Sequence, residues 1–201
     1  NVYDVTVMAS DGSRTDTQAI AVTVTPTNDN QPILNSNGGG ATASVSVAEN
    51  GAAVTTVTAS DADLPAQTLS YSISGGADAA LFSINPTTGV LSFNSAPNFE
   101  APTDAGANNV YDVTVQVADG NGGFDTQAIA VTVTNVNEAP VITSGAAVNA
   151  AENQTSVTTV TSSDVDGGAA VYSIAGSADA ALFSINPTTG VLSFNSAPNF
   201  E

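Results

Sequence analysis

The sequence contains no cysteine, no histidine and no tryptophan, and one basic side chain, Arg14, stands against 19 Asp and Glu in 201 residues. Without cysteine there are no disulfides and no thiolate metal sites, and without histidine the usual zinc ligand and the commonest general base are missing. A formal net charge of −18 leaves no basic surface to release counterions from phosphate, so nucleic acid and anionic membrane are excluded as direct partners. No run of about 18 apolar residues occurs, so this segment is not expected to insert into a membrane. The chain starts at Asn1 rather than Met and carries no signal peptide. It therefore reads as an internal fragment, and the missing targeting segment says nothing about location.

What is present is a 42% hydrophobic chain with few aromatics, 17 Gly and 9 Pro, enough apolar material for one or two modest cores. A charge of this size opposes compaction unless salt screens it or bound cations cancel part of it. The ligands left for a cation are oxygens of carboxylates, amides and backbone carbonyls, a set suited to calcium or magnesium.

The chain repeats itself. Ala77–Glu100 and Ala178–Glu201 are identical over 24 positions, and Asn1–Gly12 (NVYDVTVMASDG) closely matches Asn109–Gly120 (NVYDVTVQVADG). Self-similarity at a period of about 100 residues indicates an array of domains. The register divides the chain into the C-terminal part of one repeat (residues 1–30), a complete repeat (31–138) and the N-terminal part of the next (139–201). Within the complete repeat, Tyr111, Val113, Val115 and Val117 alternate with polar residues, as do Ile129, Val131 and Val133, the period of strands with one buried face. Shorter strands are expected at Ser44–Val47, Val54–Ala59, Leu69–Ser74, Leu81–Ile84 and Val90–Phe93, separated by turn sequences such as Asn50-Gly51, Pro86-Thr87-Thr88-Gly89 and Asp119-Gly120. The fold class is all-β: tandem seven-stranded, Greek-key, immunoglobulin-like β-sandwiches, one complete and two partial.

Acidic and amide residues gather at the repeat boundaries. They are Asn28-Asp29-Asn30-Gln31-Pro32 and Asn137-Glu138-Ala139-Pro140; the pairs Asp61/Asp63 and Asp164/Asp166; Glu49-Asn50 and Glu152-Asn153; Asn98-Phe99-Glu100 and Asn199-Phe200-Glu201; and Asp11 and Asp119. An i, i+2 spacing puts two carboxylates on one side of an extended chain, where they can share a cation. In this order the motifs resemble the cadherin repeat. The resemblance covers the whole middle repeat and both flanking parts, and five motifs in sequence are far more specific than any one Asp-x-Asp.

The resemblance implies calcium ions bound between successive repeats. At the second junction it implies Glu49, Glu100, Glu138, Asp164 and Asp166, with the Asn137 side-chain oxygen and the Val136 and Ala139 carbonyls. At the first it implies Asn28, Asp29, the Asn30 carbonyl, Asp61, Asp63 and Asp119. Asn98 stands where cadherins usually place an Asp, Glu138 and Ala139 replace Asp-Asn, and Pro26 and Asn135 replace the first Asp of the linker. Fewer or weaker ions than three per junction are therefore expected. The implied function is a calcium-binding, rod-forming segment of an extracellular or cell-surface adhesin. The near-identical repeats and the Asn-Glu-Ala-Pro linker resemble bacterial cadherin-like arrays. Expected partners are other repeats of the same protein, with homophilic, cell-surface or carbohydrate ligands also open.

Asp and Asn are also turn residues that bond their own loops. Asp4, Asp16, Asp78, Asp112, Asp125 and Asp179 are read as solvated surface or turn residues, and Asp119–Asp125 as a hairpin loop rather than a calcium nonapeptide. Paired carboxylates could serve a glycosidase, but they recur once per repeat, and no His, Cys or Lys supports another mechanism, so no catalytic residue and no enzyme is expected. The alternative is a spacer or carbohydrate-binding module of a secreted exoenzyme. Residues 1–27 supply only a two-stranded remnant and residues 139–201 only five strands, so the two are expected to complement each other between molecules.

Overall fold

Alternation of β-branched and small polar residues produces strands throughout the computed structural model, which describes all 201 residues as two units, Asn1–Thr134 and Asn135–Glu201. In the first unit, β1 (Val2–Ser10) and β2 (Thr15–Thr23) form an antiparallel hairpin with Tyr3 opposite Val22 and Val5 opposite Ile20. Nothing covers either face of it: every residue of both strands is exposed.

The middle repeat follows with β3 (Ile33–Leu34), β4 (Thr42–Ala48), β5 (Ala53–Thr56), β6 (Ala59–Ser60), β7 (Ser70–Gly75), β8 (Phe82–Ile84), β9 (Val90–Phe93), β10 (Val110–Ala118) and β11 (Phe124–Thr134). One sheet has the order β4-β11-β10-β7, a second β5-β9-β8, and β3 pairs with β6. All pairings are antiparallel except β4 with β11. The sandwich is thus seven-stranded in outline, with its first two strands each broken in two. The expected strand Val54–Ala59 breaks because Val57 N–H donates to the Gly89 carbonyl (2.8 Å) while the Thr58 carbonyl accepts from Asn35 (3.0 Å).

The two faces meet in a core that includes Leu34, Val57, Leu91 and Val115, with Phe82, Phe93 and Tyr111 in mutual ring contact. Burying each large apolar side chain contributes about 1.5–3 kcal/mol. Gly89 is obligatory: its φ is +70°, and a Cβ there would lie 2.0 Å from the Val57 carbonyl oxygen.

Several polar residues lie inside. Gln127, on the inward phase of β11, is fully buried and donates to the carbonyls of Ser36 and Gly40 at 3.3 and 3.0 Å. Asp78, expected on the surface, is only 5% exposed. Its carboxylate accepts the Ala105 and Asp112 amides at 2.7 and 2.8 Å, so its burial is compensated. Asp125 likewise accepts the Leu34 amide at 2.8 Å. Asp104 is buried and accepts the amides of Asn108 and Asn109, both at 3.0 Å.

The second unit contains β12 (Val141–Ile142), β13 (Ser156–Thr159), β14 (Ser162–Ser163), β15 (Phe183–Ile185) and β16 (Val191–Phe194). Its sheets have the orders β13-β16-β15 and β12-β14, reproducing β5-β9-β8 and β3-β6. Residues 145–151 and 171–176, which correspond to β4 and β7, are not strands. In the middle repeat β4 and β7 pair with β11 and β10, and the second unit has no counterpart of that hairpin.

Candidate metal centre

The first unit brings three loops together around carboxylates. Asp61 and Asp63 lie just after β6, and the chain turns on itself there because Asp63 N–H donates to Asp61 Oδ1 at 2.9 Å. Asn30 binds Asp63 through its backbone N–H (3.1 Å to Oδ2) and its side-chain amide (2.6 Å to Oδ1), and the same amide reaches Asp29 Oδ1 at 3.0 Å. The third loop is the turn between β10 and β11, where Asp119 Oδ1 accepts Asn121 N–H at 2.7 Å and Gly123 N–H at 3.0 Å. Asn28 connects the linker to it, donating to Asp119 Oδ2 at 3.1 Å. Gly123 fits against this carboxylate because a Cβ would come within 2.5 Å of Asp119 Oδ2.

Two residues that sequence reasoning omitted complete the network. Gln67 donates to Asn28 Oδ1 and, at 3.3 Å, to Asp63 Oδ2, and its own oxygen accepts from Asn121 at 3.2 Å. Their only sequence signal was position, in the loops that follow Asp63 and Asp119.

Asp63 and Asp119 are buried. Hydrogen bonds hold both below the usual carboxylate range: the Asn30 side-chain amide is the largest cause at Asp63, and the Asn121 backbone amide is the largest at Asp119, with desolvation opposing in each case. Asp61 Oδ2 is buried and has no hydrogen-bond partner. A buried carboxylate oxygen without a proton donor is costly, and a hard cation would satisfy it. Anionic carboxylates on three loops, with amide oxygens beside them, fit the oxygen-only, flexible shell that calcium takes.

At the other end of the middle repeat, Glu49 is buried and its Oε2 accepts Phe99 N–H at 2.8 Å. Glu49 and Glu100 bring carboxylate oxygens within 4.8 Å of each other. Asn98, close to Glu100 in sequence, accepts the Ala101 amide at 2.8 Å on its Oδ1, capping the loop. In the second unit, Asp166 N–H donates to Asp164 Oδ1 at 3.1 Å, Glu138 N–H donates to Asp166 Oδ2 at 2.6 Å, and Asn135 donates to Asp166 Oδ1 at 2.7 Å. Glu138 thus takes the backbone role of Asn30 rather than that of Asp29. The side chain of exposed Asn137 turns back to the Glu138 carbonyl at 2.9 Å. Glu152 repeats the Glu49 contact, accepting Phe200 N–H at 3.1 Å.

Residues 43–136 match the family model described as "Cadherin domain". Human protocadherin Fat 1 is 31% identical over 199 residues, 94% of this chain, and human protocadherin Fat 4 is 32% identical over 161 residues, 75% of it. The chain spans 4% and 3% of those two relatives. Among solved structures, "Protocadherin gammaB7 EC3-6 cis-dimer structure" aligns with a TM-score of 0.55 at 25% identity, over 100% of this chain and 53% of that one. No helix is long and apolar enough to cross a membrane.

Proposed function

Because these matches support the cadherin superfamily for this extracellular or cell-surface chain, we propose that it is the calcium-binding, rod-forming part of an adhesin. The observation that carries this reading is the buried, unpartnered Oδ2 of Asp61 beside Asp63, Asn28–Asn30 and Asp119. At the first junction Asp29, Asp61, Asp63 and Asp119 supply the negative ligands, and Asn28, Gln67 and the Asn30 carbonyl supply neutral oxygens. Glu49 and Glu100 of the middle repeat, and Asn137, Glu138, Asp164 and Asp166 of the second unit, are proposed as calcium ligands in the same way.

The mechanism is electrostatic. Without a cation, carboxylates from separate chain segments repel and their loops are held only by amide hydrogen bonds. Asp29 of the linker, Asp61 and Asp63 after β6 and Asp119 of the β10–β11 turn would hold a calcium ion, whose positive charge would offset their repulsion and stiffen the linker between repeats. The adhesin is of the large surface type built from near-identical repeats, and the Asn137-Glu138-Ala139-Pro140 linker favours a bacterial owner. The relatives named above are animal proteins, so the owner is a separate question from the calcium chemistry. Adhesive contacts are with other repeats of the same kind. The family and relatives matched are cadherins and protocadherins rather than enzymes.

Thermal melting in calcium against chelator, with magnesium as control, tests the calcium reading. Extracellular modules bind calcium at about 10⁻⁴–10⁻³ M, so 10 mM calcium stabilises by about 1.4–2.7 kcal/mol per ion. Asp61→Asn should remove most of the gain at the first junction. A midpoint that calcium leaves in place would sink the proposal and leave salt screening as the answer to the −18 charge.

A further inference from the structure

We propose that Asn121, in the turn between β10 and β11, is a self-modification site at which the chain converts its own side-chain amide into an acid. The sequence holds three Asn-Gly pairs, beginning at Asn37, Asn50 and Asn121. Locally they are alike, because glycine leaves the backbone nitrogen that follows each Asn unshielded. The fold sets them apart.

Asn37 is half-buried and held at both ends of its amide: Nδ2 donates to Gln127 Oε1 at 3.4 Å, and Oδ1 accepts from Thr55 Oγ1 at 3.1 Å. Asn50 is exposed, but its φ of +63° lies in the left-handed region and the nearby Ala52 carbonyl is tied to Phe93 N–H at 2.8 Å. Asn121 is exposed and held only through Nδ2, which donates to Gln67 Oε1 at 3.2 Å and to its neighbour Asp119's carbonyl at 3.4 Å. The Gly122 N–H donates to no group of the chain. Gly120 and Gly122, on either side, have φ of +77° and +109°, and a Cβ at either would meet nothing within 4 Å. The peptide between Asn121 and Gly122 therefore has open space in which to turn.

The step is intramolecular. The Gly122 backbone nitrogen attacks Asn121 Cγ, the Cγ–Nδ2 bond breaks, and ammonia leaves with the Gly122 proton. Water then opens the cyclic imide at one of its two carbonyls, giving an aspartyl or an isoaspartyl residue. Either product disturbs the network around Asp119. A carboxylate donates no hydrogen bond, so Gln67 Oε1 loses its donor. Gln67 recovers one only by turning its amide over, which withdraws Nε2 from Asn28 and Asp63. The isoaspartyl product also routes the main chain through the side-chain carbon. It lengthens the turn whose Asn121 and Gly123 amides converge on Asp119 Oδ1. The first hairpin makes the same kind of turn, with Ser13 N–H on Asp11 Oδ1 at 2.9 Å, but Ser13-Arg14 has no amide to cyclise. The site thus belongs to this turn's sequence and not to the repeat in general.

The effect of the new charge on a bound cation rests on the calcium reading above, so the test is run in chelator and reads the modification alone. The full chain is aged at mildly alkaline pH, folded and in denaturant, and followed by peptide mass spectrometry and enzymatic methylation of isoaspartyl groups. In denaturant the three pairs should convert at similar rates. In the folded chain Asn121 should run roughly tenfold ahead of Asn37, whose two side-chain bonds must break first, with Asn50 between them. Asn121→Gln keeps the amide on a longer arm that cyclises far more slowly, and should leave this turn unmodified. Hydrogen exchange at β10 and β11 reports that every sample stays folded. Protection of the amides at positions 121 and 123 should fall in the aged chain and hold in aged Asn121→Gln. Three results overturn the inference: Asn121 staying intact in the folded chain, Asn37 or Asn50 converting as fast, or a fully converted turn with unchanged amide protection.

Discussion

Residues 77–100 and 178–201 share one sequence and live in two environments. Both make the same turn, with Gly89 and Gly190 in the left-handed region, and the same short hairpin, β8–β9 or β15–β16. They differ in burial. Leu91 is 0% exposed, whereas its twin Leu192 is only partly covered; Asp78 is buried, whereas Asp179 is exposed. Local structure is therefore written into the 24 residues, and core formation is not. The core appears where β10 and β11 arrive from elsewhere in the chain.

Substitutions at paired positions can break this comparison. Leu91→Ala should cost about 2–5 kcal/mol, and Leu192→Ala less than about 1 kcal/mol because no closed core surrounds it. Hydrogen exchange followed separately in β9 and β16 distinguishes them, and equal losses would mean that the second unit holds a core of its own. Asp78→Ala removes the buried acceptor of the Ala105 and Asp112 amides and should cost about 1–3 kcal/mol; Asp179→Ala should stay within about 0.5 kcal/mol.

Gly89→Ala and Gly190→Ala test the opposite side. A Cβ would meet the Val57 or Val160 carbonyl oxygen at 2.0 or 2.2 Å, so both should destabilise their turns, by about 1–3 kcal/mol. A harmless Gly190→Ala would show that the second turn is not held as the first is.

Acid gives the smallest effect. Asp63 and Asp119 have folded pKa values below the ordinary 3.8, so the unfolded chain takes up protons first as the pH falls. Their contribution is present above about pH 4 and is lost as the pH drops through the folded values. The midpoint of the middle repeat should fall in that window, and Asp63→Asn should flatten the dependence.

The two long strands were legible because Tyr111–Val117 and Ile129–Val133 alternate strictly, and the acidic cluster was legible because its motifs come in a fixed order. The two-residue β3 and the break after Val57 were not, since both depend on hydrogen bonds from distant carbonyls and amides rather than on periodicity. Buried Asp78, Asp104 and Gln127 were missed for a related reason. A polar residue is buried when backbone donors or acceptors meet it, and those partners lie up to 91 positions away. Gln67 joins the acidic network through an amide that no motif marks.

The pairing of β4 with β11 has a mechanical consequence. These strands are the repeat's near-first and last, and they run parallel through seven register pairs, from Thr42 beside Ala128 to Ala48 beside Thr134. Tension applied along the chain passes the short β3–β6 pairing, reaches the start of β4 and leaves at the end of β11. It therefore slides the two strands past each other and strains all of their hydrogen bonds at once, rather than peeling them apart singly. A repeat built this way resists pulling through its shortest path between neighbours, while the rest of the sandwich carries little of the force.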